Sequence, residues 1–259
     1  MDQDDDTHFK ANTPHGVAGA ALYPIMNAAD ALTMTCVMLE LVPKSLPFNH
    51  HPASVMSLCR TAFESASQCI WMLSPSTRDQ RRKRAAGASM VGAGQKSSHL
   101  RVELETHDSG KRVIPEPYLS GMRDHLHFAV EERDRVASLD RETDNFSTMV
   151  TKAGDWLSAN RPVHLKTEFD SVDLPAQISQ QYRLCSSFTH GYNWGIDFCL
   201  NIGDVGAMLS EAISVAIFVT ESAVALYEAQ ATNPESPGRA KRYPSRIQPT
   251  IEQYTTLFA

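Results

Sequence analysis

Three stretches of this chain are long, apolar and nearly free of charge, and together they dictate a helical interior. Residues 16–41 carry only Asp30 and Glu40, residues 53–73 only Arg60 and Glu64, and residues 205–229 only Glu211, Glu221 and Glu228. None shows the period-2 alternation of a half-buried strand. Their lengths exceed that of an ordinary strand severalfold, and their apolar positions recur at helical spacing. In 53–73 one face carries Val55, Leu58, Ala62, Ala66, Cys69 and Leu73. Arg60, Glu64, Ser67 and Trp71 lie on another, so both faces need cover and the helix is expected at the centre. The three glutamates of 205–229 mark it as a core helix rather than a membrane span. The expected fold is all-α, a bundle of roughly six to eight helices.

Punctuation divides the chain. Pro43 and Pro47 end the first helix, and Pro52 opens the second at a position that needs no N–H. Ser74 to Thr77 supplies an N-cap for a helix from Arg78 to about Glu105, in which Gly87, Gly92 and Gly94 either weaken it or admit a close neighbour. Further helices are expected at about 118–139, around Trp156, from Pro175, and over 204–231. Residues 1–14 read as a flexible acidic tail, 15–231 as one domain, and 232–259 as an extended tail. Four prolines, with Arg239, Lys241, Arg242 and Arg246, make that last segment extended and basic.

Composition narrows the function. Hydrophobic residues make up 42% of the chain and charged ones 21%, so the chain folds rather than staying disordered. A formal charge of −6 excludes a general polyanion binder, and any nucleic-acid contact must use a local patch. One such patch is Arg78, Arg81, Arg82, Lys83 and Arg84, which is a solvated face or a phosphate-contacting surface. The five cysteines are odd in number and form no CxxC pair, which suits reduced thiols in a cytoplasmic protein. No secretory leader is evident. His125 and His127, like His50 and His51, are too close in sequence to share a helix face, so no metal site is expected, and no cofactor motif occurs.

The most informative stretch is 182–191, Tyr-Arg-Leu-Cys-Ser-Ser-Phe-Thr-His-Gly. Between Leu174 and Gly203 only Arg183 and Asp197 are charged. On a helix, positions 183, 187 and 190 fall within about 60° of arc. Arg183, Ser187 and His190 should therefore share a face, with Ser186 at its edge. A guanidinium, a hydroxyl and an imidazole in apolar surroundings form a candidate site. Arg60 and Glu64, in the other charge-poor helix, are its natural partners. A bland alternative pairs Arg183 with Glu64 inside the core, with His190 capping its helix.

Arg183, six intervening residues and His190 resemble the Arg-x(4–6)-His motif of the HEPN (higher eukaryotes and prokaryotes nucleotide-binding) superfamily. The paired stretches Arg60-x-x-x-Glu64 … Trp71-x-Leu73 and Tyr182 … Ser186-x-x-x-His190-Gly191 resemble an uncharacterised, largely bacterial branch of it. The resemblance covers the helices around 53–84 and 174–230. It implies a helical bundle, often a homodimer, and a metal-independent endoribonuclease of defence or stress response. His190 would then be the acid or base, and Arg183 would stabilise charge on the scissile phosphate. Ser186 or Ser187 would hold His190 or the phosphate, Glu64 would orient His190 or Arg183, and Arg60 would be a second phosphate ligand. Two other readings stay open. One is a catalytically silent module binding a protein or nucleic acid. The other is a regulatory bundle with a small-molecule pocket near Phe188, Tyr192 and Trp194.

Overall fold

In the computed structural model, residues 16–41, 51–165, 170–231 and 243–258 are described. They form eight α-helices and three short 3-10 turns, and no strand occurs among them. The protein is an all-α helical bundle. The helices are α1 (Gly16–Leu41), α2 (Pro52–Leu73), α3 (Arg78–Asp108), α4 (Glu116–Ala137), α5 (Phe146–Ala159), α6 (Leu174–Thr189), α7 (Ile202–Ala231) and α8 (Gln248–Thr255). Where the sequence suggested one domain over 15–231, the fold divides into two compact units. One holds residues 77–143 with the first residues of α1, and the other holds 21–76 and 144–259. The proposed acidic tail, residues 1–14, lies outside the described residues.

The first unit is a helical hairpin. The Thr77 hydroxyl accepts from the Gln80 N–H and caps α3. A short connection returns the chain, so α3 and α4 pack side by side around Leu104, Ile114 and Leu119, with Met122 and Leu126 covering them. Of the three glycines in α3, only Gly87 is crowded. A Cβ there would collide with the Glu142 carbonyl oxygen and lie 2.8 Å from its carbon. The neighbour is thus the backbone of the strap after α4, tied down where the Glu142 N–H donates to the Lys83 carbonyl at 3.0 Å. Gly92 and Gly94 face open space.

The second unit is built on α2, which packs against α5, α6 and α7. Met56, Phe63, Ile70, Trp71, Met72 and Leu73 are fully buried. At about 1.5–3 kcal/mol for each large apolar side chain removed from water, this helix supplies much of the unit's stability. Gly154 of α5 sits against Pro175, and a Cβ there would lie 3.2 Å from the Pro175 Cα, so α5 and α6 approach closely. Asn27 of α1 donates to the Ser65 hydroxyl of α2 at 2.8 Å. Tyr23, Met26 and Met34 of α1 are exposed. By length and composition alone, Gly16–Glu40 and Ile202–Gln230 could each cross a membrane.

The reading of 232–259 as an extended tail needs correction at its end. Pro244 precedes a 3-10 turn, Pro249 falls in the first turn of α8, and neither position requires a proline N–H. Ile247 and Tyr254 are fully buried. The Tyr254 hydroxyl donates to the Asn160 carbonyl at 3.0 Å, and its ring meets Trp156 edge-on at 5.0 Å. Arg239, Lys241 and Arg242 lie outside the described residues.

The glycines of α3 predict opposite responses. Gly87→Ala should lower stability by about 1–3 kcal/mol, because backbone must move. Gly92→Ala should raise it by up to about 1 kcal/mol, through helix propensity. Urea unfolding of the two variants measures both; equal effects would contradict the close approach at Gly87.

Candidate functional site

The site forms where α2 and α6 pack together. The α2-facing stripe of α6 includes Tyr182, Cys185 and Thr189, spaced three and four residues apart as a helix face requires. Ile178, Tyr182 and Cys185 are buried. Thr189 Oγ1 donates to Ser57 Oγ at 3.2 Å, a further link between the helices.

The end of α6 places the histidine. His190 is the C-cap, and Gly191 follows in the left-handed region at φ +70°. The Tyr192 N–H donates to the Ser187 carbonyl at 2.8 Å and the Gly191 N–H to the Phe188 carbonyl at 3.2 Å. These two bonds form a Schellman motif, which requires a positive φ at the residue after the cap and therefore favours glycine there. The helix stops at a defined residue, and the His190 ring turns toward α2.

Four side chains then join in a line. Tyr182 Oη donates to Glu64 Oε1 at 3.0 Å, and Arg60 Nε donates to the same oxygen at 3.0 Å. Arg60 Nη1 lies 2.8 Å from His190 Nε2. A guanidinium has no acceptor, so the imidazole nitrogen must accept; His190 is neutral in this bond, with its proton on Nδ1. The Arg60 carbon sits 6.0 Å from the Tyr182 ring centre. Burial, then the Glu64 charge, raise the Tyr182 pKa, which keeps the phenol protonated as a donor. Arg60 and Glu64 retain 18% and 19% side-chain exposure, and His190 is exposed, so the cluster opens to solvent.

The sequence-named residues separate. Arg60, Glu64 and His190 come together. Arg183 does not join them: it is exposed, and no described residue bonds it. It lies on α6 about 10 Å along the helix axis from His190. The buried Arg183–Glu64 pair is therefore not formed, because Arg60 occupies the Glu64 carboxylate. Neither serine hydroxyl holds the His190 ring. Ser187 is buried and donates to the Leu184 carbonyl at 2.7 Å, while half-buried Ser186 contributes only its carbonyl, which accepts the His190 N–H. Tyr182 is the member that sequence reasoning missed. Its signal was the stripe 182/185/189, on a different side of α6 from the face assigned to Arg183.

The basic stretch lies at the start of α3. Lys83 bridges Asp140 at 2.8 Å and Asp79 at 2.9 Å, bonds that raise its pKa and lower that of Asp140. Arg84 pairs with Glu142 at 3.3 Å. Arg81 is buried, and burial followed by the Arg78 charge lowers its pKa; Arg78 is exposed and Arg82 half-buried. This surface carries its own counter-charges.

A second polar cluster has the makings of a catalytic triad but not the access. His164 Nδ1 meets Thr250 Oγ1 at 2.7 Å, and Nε2 meets Glu221 Oε2 at 3.2 Å. Arg246 also pairs with Glu221. Burial pushes the Glu221 pKa up, but the His164 and Arg246 bonds outweigh it and the net direction is down. Thr250 is fully buried, so it presents no nucleophile to a substrate. The cluster ties α8 and the turn at Val163–Leu165 to α7. Among the described residues, no group of three or more His, Cys, Asp or Glu is placed to hold a metal ion.

The tautomer of His190 follows from this geometry. Nitrogen NMR at neutral pH should show the proton on Nδ1, and Arg60→Ala should return the ring toward the ordinary Nε2–H form. An Nε2–H tautomer in the unsubstituted protein would show that Arg60 does not donate to it.

The chain matches no protein family model, no curated protein and no solved structure.

Proposed function

We propose that the α2–α6 cluster binds a phosphodiester, and that the protein is a HEPN-like, metal-independent endoribonuclease working in the cytoplasm as a homodimer. The observation that carries this reading is the solvent-open contact of Arg60 with His190. It sets a cation and a neutral imidazole side by side, the two groups that phosphodiester cleavage without metal requires. The Arg60 N–H groups not engaged by Glu64 and His190 can receive a phosphate oxygen bidentately. Exposed Arg183, further along α6, suits an adjacent phosphate of the same strand.

In this mechanism the incoming phosphate draws Arg60 away from His190 and leaves the Nε2 lone pair to accept the ribose 2′-hydroxyl proton. The 2′ oxygen attacks phosphorus and the bond to the 5′ oxygen breaks. His190 returns the proton to that oxygen. The products are a 2′,3′-cyclic phosphate and a 5′-hydroxyl, and atoms and charge balance without a metal. Glu64 and Tyr182 are positioning residues that hold Arg60 from its other side. The serines at 186 and 187 and the basic stretch 78–84 have no part in the chemical step.

The same Arg60–His190 bond favours one rival, a catalytically silent module in which the four side chains merely set the register of α2 against α6. A cleavage assay separates the two. Purified protein should cut single-stranded RNA in the presence of a chelator. His190→Ala should slow cleavage by about 100- to 10,000-fold, and Arg60→Ala by about 100- to 1,000-fold. Full activity in His190→Ala would remove the histidine from the mechanism; no cleavage by the unsubstituted protein, with RNA still bound, would favour the silent module.

A further inference from the structure

Immediately after the cluster, the chain displays a run of uncovered apolar side chains. Tyr192 is 61% exposed, Trp194 40% and Phe198 73%, with Ile196, Leu200 and Ile202 exposed beside them. So much apolar surface in one short segment marks a binding surface. The segment is held firmly where it leaves α6. The Schellman bonds of Gly191 and Tyr192 fix its first residues. Gly195 is buried against α6, where a Cβ would collide with Ser187 Oγ and lie 2.9 Å from Phe188 Cε2. The 3-10 turn Asn193–Gly195 therefore rests on α6, and its neighbour Trp194 points outward, braced edge-on by Phe198 at 6.3 Å. The Tyr192 ring centre lies 5.9 Å from that of His190.

We propose that Tyr192 and Trp194 form a stacking platform for the bases of single-stranded RNA, next to the phosphate held by Arg60 and His190. This rests on the phosphodiester-binding reading of the α2–α6 cluster. The occupant follows from what adjoins the patch. Arg60 reaches His190, whose ring lies beside Tyr192, so a cation and an imidazole adjoin exposed aromatic rings, and single-stranded nucleic acid presents that combination of phosphate charge and π-face. A protein partner would match the aliphatic Leu200 and Ile202 but would make no use of the guanidinium and imidazole that adjoin Tyr192. Gly191 and Gly195 thus serve the site twice: the first directs His190 toward α2, and the second seats the ring that receives the base. Base stacking is largely indifferent to sequence, so the platform selects unpaired RNA over duplex rather than one base over another.

The test measures binding of a 2′-O-methyl oligonucleotide, which lacks the attacking hydroxyl, by the full chain. Tyr192→Ala combined with Trp194→Ala should weaken binding by at least about 10-fold, as loss of stacking under one or two bases requires. Tyr192→Phe with Trp194→Phe, which keeps the rings, should restore it. An oligonucleotide with abasic residues should bind the unsubstituted protein as weakly as the intact one binds the alanine variant. Unchanged affinity in the alanine variant would overturn the platform, as would a loss of self-association with RNA affinity retained, which would assign the patch to a second copy of the chain. The two readings fail separately. Base-dependent binding without cleavage of ordinary RNA would keep the platform and discard the nuclease. Cleavage with unchanged affinity in the alanine variant would do the reverse.

Discussion

The second unit depends on satisfying one cation. Arg60 sits on α2, a helix buried on most sides, and leaving its partly buried guanidinium unpaired there is unfavourable. Glu64, one turn on, supplies one partner from the same helix. The rest must come from α6, which brings Tyr182 to Glu64 and His190 to Arg60. Hydrogen bonds to charged groups contribute about 1.5–3 kcal/mol each when well shielded, and less at the partial exposure found here. Their larger effect is on register. A slip of α6 by one residue along α2 would break the Tyr182 and His190 contacts together.

From that constraint the rest of the site follows. The helix must end where His190 can reach Arg60, and Gly191 in the left-handed conformation ends it there. The chain leaving that cap must then stay against α6, and Gly195 permits it by packing on Ser187 and Phe188. Structural and chemical roles are therefore not separable by residue. Arg60 links two helices, and in the proposed mechanism it is also the group that would meet a phosphate beside a neutral imidazole. Such a bond is useful in catalysis only if it is exchangeable, and the solvent access of His190 is what makes exchange feasible.

Much of this was legible in the sequence, for identifiable reasons. The apolar runs of α1, α2 and α7 forced an all-α fold, and the scarcity of charge singled out Arg60 and Glu64 on α2 and Arg183 on α6, with His190 entering as a residue expected on the Arg183 face. The assignment of Arg183 failed on one assumption. It placed His190 as an ordinary helical residue and drew the shared face through it, whereas His190 is the cap and the packed face runs through Tyr182 and Cys185. Which side of a helix meets its neighbour depends on the partner's surface, and that lies outside the helix's own periodicity. The helix at 248–255 was hidden by prolines that read as breakers but sit at first-turn positions. Its signal was the spacing of Ile247, Ile251 and Tyr254. The division into two units was not drawn from the sequence, although polar runs at 74–77 and 140–145 lie at the two ends of the 77–143 unit.

The central claim is that phosphate is received at Arg60 and His190, and an NMR titration tests it most directly. With a 2′-O-methyl oligonucleotide added in increments, the account predicts that the Arg60 Nε–H and His190 ring signals shift first and saturate together. Saturation should coincide with a weakening of the Arg60–His190 bond. Shifts confined to residues 78–84, with Arg60 and His190 unmoved, would contradict it.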